Sequence, residues 1–254
     1  MNAEKFDQKE SIPENNTLPL NIKESDLFVE GGESTVWRTL VEDRNHQDVR
    51  VALKQTRKTR FADDAEMQKS KKFYDLLKNS SDFGKFVPET LYFKAQMSSD
   101  ASPQSYSLQR FIEGTPISAM DDEALYKNPI VVRQLMEFTR AALAMLESAK
   151  REKTQRLDLG KTPDADMRTT ILANYILNPR YSSNVVIADQ PSANGQYVFF
   201  VDTGENLEER GNRARKLYQR HVSTPVQQAH LRQWLKKLEE ISTFQKNAAH
   251  HTVE

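Results

Sequence analysis

Residues 27–40 read Leu-Phe-Val-Glu-Gly-Gly-Glu-Ser-Thr-Val-Trp-Arg-Thr-Leu, a run of strand-forming residues interrupted by two glycines. Residues 35–40 alternate and are rich in strand-forming residues, and residues 49–55 read Val-Arg-Val-Ala-Leu-Lys-Gln. Alternation of this kind, with β-branched and aromatic residues, predicts β-strands. The polar residues 42–48 between the two segments are typical of a hairpin loop. The sequence therefore predicts an antiparallel meander of three strands.

The elements that follow change from mixed to mostly helical. Apolar residues at three- and four-residue spacing predict helices. The predicted elements are a helix at 63–78, strands at Phe86–Phe93 and Ser105–Ile112, a helix at 129–150, a hairpin from Asn184 to Val201, and a helix at 225–246. Strands grouped before helices favour an α+β fold.

Composition excludes several classes of function. Lys and Arg number 36 and Asp and Glu number 36, so the formal net charge is zero, and charge-driven binding of nucleic acid is not expected. The sequence has no cysteine, which excludes disulfides and thiolate zinc sites and fits a reducing cytoplasm. The N-terminus lacks the apolar core of a secretory signal. No apolar run is long enough to predict a membrane span.

Changes in composition divide the chain into four segments. Residues 1–22 are polar and predict a flexible leader. Residues 23–113 carry the predicted sheet and one helix, and residues 114–247 are mostly helical. Residues 248–254 are expected to form a frayed tail. We therefore expect two lobes, a small sheet-rich one and a helical one.

Two features of the first lobe are suited to phosphate groups. Gly31 and Gly32 stand in a turn between strands, where glycine lets backbone N–H groups approach phosphates closely, although an ordinary hairpin turn also favours glycine. Lys54 ends the apolar run Val51-Ala-Leu. A lysine there could neutralise an anion, or could simply face solvent.

Two residues of the second lobe are suited to a hard cation. Asp202 follows the apolar run 198–201 and precedes a Thr-Gly turn, which places a carboxylate at the end of a strand. Asn184 directly precedes Val185-Val-Ile, and its amide oxygen is a plausible second ligand. Taken singly, each residue could equally be an ordinary turn residue.

These motifs occur in one order along the chain, and that order resembles the protein-kinase fold. Residues 29–36 resemble the kinase Gly-rich loop, with Gly31 at its second glycine and Val36 at its valine, while Val29 and Ser34 replace its first and third glycines. Val51-Ala52-Leu-Lys54 resembles the strand that carries the phosphate-binding lysine. Residues 109–114 resemble the hinge between the lobes. The resemblance implies a nucleotide site formed by Gly31, Gly32, Ser34, Val36, Ala52, Lys54, Gln109 and Phe111.

The resemblance continues in the second lobe, where it also shows departures. Asn184 and Asp202 resemble the two kinase residues that bind Mg²⁺, with Thr203 in place of the phenylalanine after the aspartate. Glu66 could pair with Lys54, or could be an exposed residue near a helix start. The expected catalytic base is missing, because the fifth residue before Asn184 is Pro179. Asp158 could supply a displaced base, or could be an ordinary loop residue. No Ala-Pro-Glu motif follows Asp202.

The resemblance implies a bilobal α+β protein similar to short, divergent bacterial kinase-like proteins, including those that act on lipopolysaccharide sugars. It implies a cytoplasmic phosphotransferase that uses ATP and Mg²⁺, with Asp158, Lys54 and Asp202 catalytic, and with a protein or small-molecule hydroxyl as acceptor. The alternative is a pseudokinase that binds nucleotide or acts as a scaffold. A third possibility discards the resemblance and makes the chain an α+β interaction module.

Overall fold

The computed structural model describes residues 21–30, 34–42, 46–56, 64–95, 104–152, 180, 182–202 and 224–251. The fold is α+β, as predicted. The chain forms two compact units, the first made of Met1–Asp75 with Pro88–Ile112 and the second of Leu76–Val87 with Glu113–Glu254. Residues 76–87, which lie inside the sequence of the expected first lobe, thus group with the second unit.

The first unit contains a five-stranded antiparallel sheet in the order β1-β2-β3-β5-β4. The strands are β1 (Asn21–Glu30), β2 (Ser34–Glu42), β3 (Asp48–Thr56), β4 (Thr90–Ala95) and β5 (Gln104–Arg110). The predicted three-stranded meander is confirmed by the antiparallel pairing of β1 with β2 and of β2 with β3. β1 begins at Asn21, so its first residues lie within the segment expected to be a flexible leader.

One face of the sheet carries the core of the first unit. Val51 and Leu53 are two residues apart on β3, which places their side chains on the same face. The register places Trp37 opposite Leu53, and Leu53 opposite Leu108 of β5. The buried members of this cluster are Val41, Val51, Leu53, Phe93, Ala95, Tyr106 and Leu108.

Helix α1 (Asp64–Lys78) confirms the helix predicted at 63–78, and it contacts the opposite face of the sheet at β4. Tyr74 of α1 is buried, and its ring centroid lies 5.9 Å from that of Tyr92 on β4. The Tyr74 hydroxyl accepts a hydrogen bond from the Thr90 backbone N–H and donates one to the Glu89 carboxylate, both at 3.2 Å. These bonds attach α1 to the start of β4.

The second unit combines a three-stranded antiparallel sheet, in the order β6-β7-β8, with helices. Its elements are β6 (Gly114–Pro116), α2 (Asp122–Lys127), α3 (Pro129–Glu152), β7 (Val185–Ala188), β8 (Val198–Phe200) and α4 (Thr224–His251). The predicted hairpin and both long helices are confirmed. α3 packs along α4, whose side chains Leu231, Trp234 and Leu238 are buried. The Arg140 guanidinium also contacts the Glu239 carboxylate at 2.8 Å.

Four phenylalanines form the aromatic core of the second unit. Phe83 lies 5.3 Å from Phe138 and 5.8 Å from Phe200, measured between ring centroids. Phe86 lies 5.3 Å from Phe138 and is nearly perpendicular to it. All four rings are fully buried. Because Phe200 belongs to β8, this cluster anchors the hairpin to α3.

The structure differs from the predicted elements in three respects. The strand predicted from Phe86 begins only at Thr90. Gly84–Phe86 forms a 3-10 turn, and Pro88 has no backbone N–H to donate in strand pairing. β6 and α2 were not predicted. α4 continues to His251, so the start of the segment 248–254 is helical rather than frayed.

Candidate functional site

The β7–β8 hairpin brings Asn184 and Asp202 together at its open end. Asn184 directly precedes β7, and Asp202 follows β8 by two residues. The Asn184 side-chain amide donates a hydrogen bond to the Asp202 carboxylate at 3.4 Å, and the Val201 backbone N–H donates to the Asn184 carbonyl at 2.9 Å. Both side chains are partly exposed. The predicted pair is therefore adjacent and accessible.

The chain before Asn184 is held by buried polar contacts. Ser182 is fully buried, and its hydroxyl accepts a hydrogen bond from the Asn184 backbone N–H at 3.1 Å. The Ser182 carbonyl accepts one from the Ser118 N–H at 3.4 Å. These bonds fix the backbone just before Asn184.

Arg180 fastens the same segment to the chain around α2. Its guanidinium donates hydrogen bonds to the carbonyls of Ile117 and Met120 and contacts the Asp122 carboxylate at 2.9 Å. Lys237 of α4 contacts the other oxygen of that carboxylate at 3.1 Å. Although burial acts to raise the pKa of Asp122, the hydrogen bonds from Arg180 and Lys237 outweigh it and hold the pKa below its ordinary value. Asp122 is thus a charged anchor.

Close backbone packing joins β6 to the hairpin. β6 pairs with β7 in the register Gly114↔Ala188, and the Asp189 N–H donates to the Glu113 carbonyl at 3.0 Å. A Cβ atom on Gly114 would lie 2.2 Å from the Ile187 carbonyl oxygen. Only glycine permits this approach, so Gly114 sets the position of β7 just upstream of the hairpin turn.

The donor atoms at the hairpin end suit a hard cation bound with a nucleotide. A carboxylate and an amide supply oxygen ligands, and Mg²⁺ commonly takes one or two protein oxygens together with phosphates and water. The described residues contain no cluster of three or more His, Asp or Glu side chains arranged for a metal. The residues present therefore fit Mg²⁺ held jointly with phosphate oxygens better than a fully protein-bound ion.

Lys54 lies near the end of β3 in the first unit, on the sheet face opposite to the one that carries Leu53. It pairs with Val36 of β2 and with Ser107 of β5, and its side chain is half-buried. Ala52, two residues earlier, is buried and shares that face. Partial burial strengthens the attraction between a lysine and an anion relative to open solvent.

Gln109 and Phe111, expected in the hinge, have different surroundings. Gln109 lies inside β5 and is buried, and its side-chain amide donates to the Thr90 hydroxyl at 3.1 Å. Phe111 lies just after β5, and its N–H donates to the Arg50 carbonyl at 3.1 Å. Its ring meets that of Phe28 edge to face, with centroids 5.2 Å apart. The chain thus leaves the sheet at Phe111.

The remaining predicted residues are described in part or not at all. Gly31, Gly32 and Asp158 lie outside the described residues. Ser34 lies in β2 and Glu66 in α1, but their side chains are outside the described part of the structure. Lys54 belongs to the first unit, and Asn184 and Asp202 belong to the second.

Three residues that anchor the hairpin were missed by the sequence analysis: Gly114, Arg180 and Ser182. Arg180 and Ser182 stand in the segment 179–183, Pro-Arg-Tyr-Ser-Ser, which contains no carboxylate that could act as the catalytic base. An arginine just before a buried strand was a usable signal, since a partly buried guanidinium needs several acceptors. Gly114, followed by Thr-Pro, gave no local signal for its partner, which lies far along the chain.

Comparisons with known proteins do not place the chain in a family. No protein-family model matches the sequence, and no curated protein is significantly similar to it. None of the helices in the described ranges has the length and hydropathy that a bilayer-spanning segment requires. The function must therefore be argued from the residues themselves.

Proposed function

We propose that this chain is a phosphotransferase of kinase-like fold that uses ATP and Mg²⁺ and transfers the γ-phosphate to a hydroxyl group. The observation that carries the proposal is the juxtaposition of Asn184 and Asp202 at the open end of one buried hairpin. The half-buried Lys54 supports it independently. We further propose that the acceptor is a protein or small-molecule hydroxyl and that the reaction takes place in the cytoplasm.

In this proposal each residue has one role. Lys54 binds the α- and β-phosphates through its ammonium group, and Asp202 and Asn184 hold Mg²⁺ through their side-chain oxygens. To act as a ligand, the Asn184 amide turns its oxygen toward the ion and gives up its hydrogen bond to Asp202. When bound, Mg²⁺ neutralises charge on the phosphates during transfer. Asp158 accepts the proton of the acceptor hydroxyl.

A second candidate is a pseudokinase that binds nucleotide without transferring phosphate. The favouring observation is Pro179, which occupies the position five residues before Asn184 where kinases carry their catalytic base. In the segment before the hairpin, Arg180 and Ser182 serve as structural anchors. This candidate predicts binding of Mg-ATP without turnover, whereas the phosphotransferase requires both.

Transfer of labelled γ-phosphate from ATP distinguishes these candidates. The intact chain is incubated with Mg²⁺ and γ-labelled ATP, and label is followed in the protein, in added alcohol or sugar acceptors, and as free phosphate. Asp202→Ala is expected to lower the rate on the order of 100-fold, because it removes a charged group that acts in the transition state. Asp189→Ala is the matched control, since it removes an exposed carboxylate from the turn of the same hairpin.

Three outcomes have different consequences. Transfer or hydrolysis that is lost in Asp202→Ala and retained in Asp189→Ala supports the phosphotransferase. Binding of Mg-ATP with no release or transfer of label selects the pseudokinase. Turnover that survives Asp202→Ala refutes the assignment of Asp202 and the phosphotransferase mechanism proposed here.

A further inference from the structure

A buried polar side chain interrupts the apolar face of α3. Leu135 and Phe138 on this face are fully buried, and Gln134 beside them is 5% exposed. A buried amide is costly unless its donors and acceptors are satisfied. The side chain of Gln134 must therefore have specific partners, and its partners indicate what it does.

The Gln134 side chain makes three hydrogen bonds to the β7–β8 hairpin. Its amide nitrogen donates to the Gly195 carbonyl at 2.7 Å. Its amide oxygen accepts from the backbone N–H groups of Tyr197 at 2.8 Å and Val198 at 3.2 Å. The orientation of the amide is fixed, because a flipped group would set its nitrogen against two N–H donors.

The hairpin segment that Gln134 holds leads directly to Asp202. Among the described strands, β8 pairs with β7 alone and is only three residues long. The backbone hydrogen bonds between these two strands therefore hold β8 only weakly. Val198 begins β8, and Asp202 lies four residues further on, about 13 Å away along an extended chain. Gln134 thus attaches the start of β8 to a long helix, and Phe200 packs on Phe138 of the same helix.

We propose that Gln134 is a positioning residue for the metal half of the site. It sets β8 relative to α3 and thereby fixes Asp202 beside Asn184 in the arrangement that holds Mg²⁺ with a nucleotide. The inference rests on the proposed function and extends it to a residue that touches neither metal nor nucleotide. A purely structural role would lower stability but would leave the affinity for Mg²⁺ unchanged.

The test compares Gln134→Met with Thr139→Val in the full chain. Methionine keeps the length of the side chain and removes its polar atoms. Thr139 is an equally buried polar residue on α3, but its hydroxyl donates within the helix, to the Leu135 carbonyl at 2.7 Å. Two quantities are measured: hydrogen exchange of the Tyr197 and Val198 amides, and the affinity for ATP with and without Mg²⁺.

Gln134→Met is expected to speed exchange of both amides and to weaken the Mg²⁺-dependent part of ATP affinity about tenfold, since supporting residues around metal ligands commonly have effects of that size. ATP affinity without metal stays as in the intact chain. Thr139→Val changes neither quantity. Should Gln134→Met fail to fold, Gln134→Asn takes its place, because it keeps the amide and only withdraws it from the hairpin.

The results that overturn the inference are distinct from one another. If the variant at 134 shows faster exchange but the same Mg²⁺-dependent affinity as Thr139→Val, Gln134 is only structural, and the proposed function stands. If exchange at Tyr197 and Val198 is unchanged, the hydrogen bonds do not hold the hairpin. If the intact chain binds ATP no better with Mg²⁺ than without it, the inference and the proposed function both fail.

Discussion

Replacing Gly114 by alanine tests the close contact between β6 and the hairpin. The new Cβ would lie 2.2 Å from the Ile187 carbonyl oxygen and 2.8 Å from the Ala188 Cα. Both atoms belong to the backbone, so neither can move aside by changing a rotamer. Since ordinary contacts begin at 3.4 Å, the two strands must separate by about 1 Å.

The cost of this separation can be estimated from two contributions. Forcing an extra methyl group into a well-packed region costs about 1–3 kcal/mol. Weakening the ladder bonds between β6 and β7 costs about 1 kcal/mol for each bond lost. We expect the free energy of unfolding to fall by about 2–4 kcal/mol, which lowers the melting temperature by roughly 5–15 °C for a chain of this size.

The assay is thermal unfolding of Gly114→Ala beside Gly195→Ala, with exchange of the Asp189 amide as a local readout. Gly195 has a φ of +74° but no neighbouring atom within 4 Å of a built Cβ. Its replacement therefore costs only the backbone strain of a left-handed alanine, about 1–2 kcal/mol. A Gly114→Ala protein that is no less stable than Gly195→Ala, with normal protection of Asp189, would refute the reasoning.

Three further substitutions test the rest of the structure. Phe138→Ala opens the aromatic core of the second unit and should lower the free energy of unfolding by about 3–5 kcal/mol in denaturant titrations; a loss below about 1 kcal/mol would contradict the packing. Tyr74→Phe leaves the buried Thr90 N–H without its acceptor and should lower the free energy of unfolding by about 1–3 kcal/mol. Little change in the free energy of unfolding would indicate that the hydroxyl is solvated instead. Asp122 has a lowered pKa in the folded protein, so its stabilising contribution is present above its ordinary pKa and is lost as the pH falls through the lowered value. Asp122→Asn should therefore reduce the loss of stability on acidification below about pH 4, by a small amount because the carboxylate is partly exposed; an unchanged pH profile would show that the contact with Arg180 has no effect on stability.

Local pattern was sufficient to predict much of the fold. The strand-forming residues in 49–55 predicted β3, and the turn residues 191–195 between two apolar runs predicted the hairpin. Asn184 precedes the first strand of this hairpin and Asp202 follows the second. Because paired antiparallel strands bring the start of one strand next to the end of the other, both residues lie at the open end of the hairpin. Their adjacency therefore followed from two short motifs and one turn.

What the sequence could not predict depends on contacts between distant segments. β6 is three residues long, and its partner β7 lies about seventy residues further along the chain, so no local period marks either its existence or its register. Phe86 was predicted to begin a strand, but its ring packs in the aromatic core of the second unit. The sequence did not single out Gln134, because its partners are backbone groups of the distant hairpin.

The central claim is that Mg-ATP binds at the end of the hairpin, and thermal unfolding with and without Mg-ATP tests it most directly. A ligand at a hundred times its Kd adds about 2.7 kcal/mol to stability. For a chain of this size the melting temperature should then rise by roughly 5–10 °C. We predict that this rise requires Mg²⁺, disappears in Asp202→Ala and persists in Asp189→Ala. No rise at millimolar Mg-ATP, or an equal rise in Asp202→Ala, would contradict the claim.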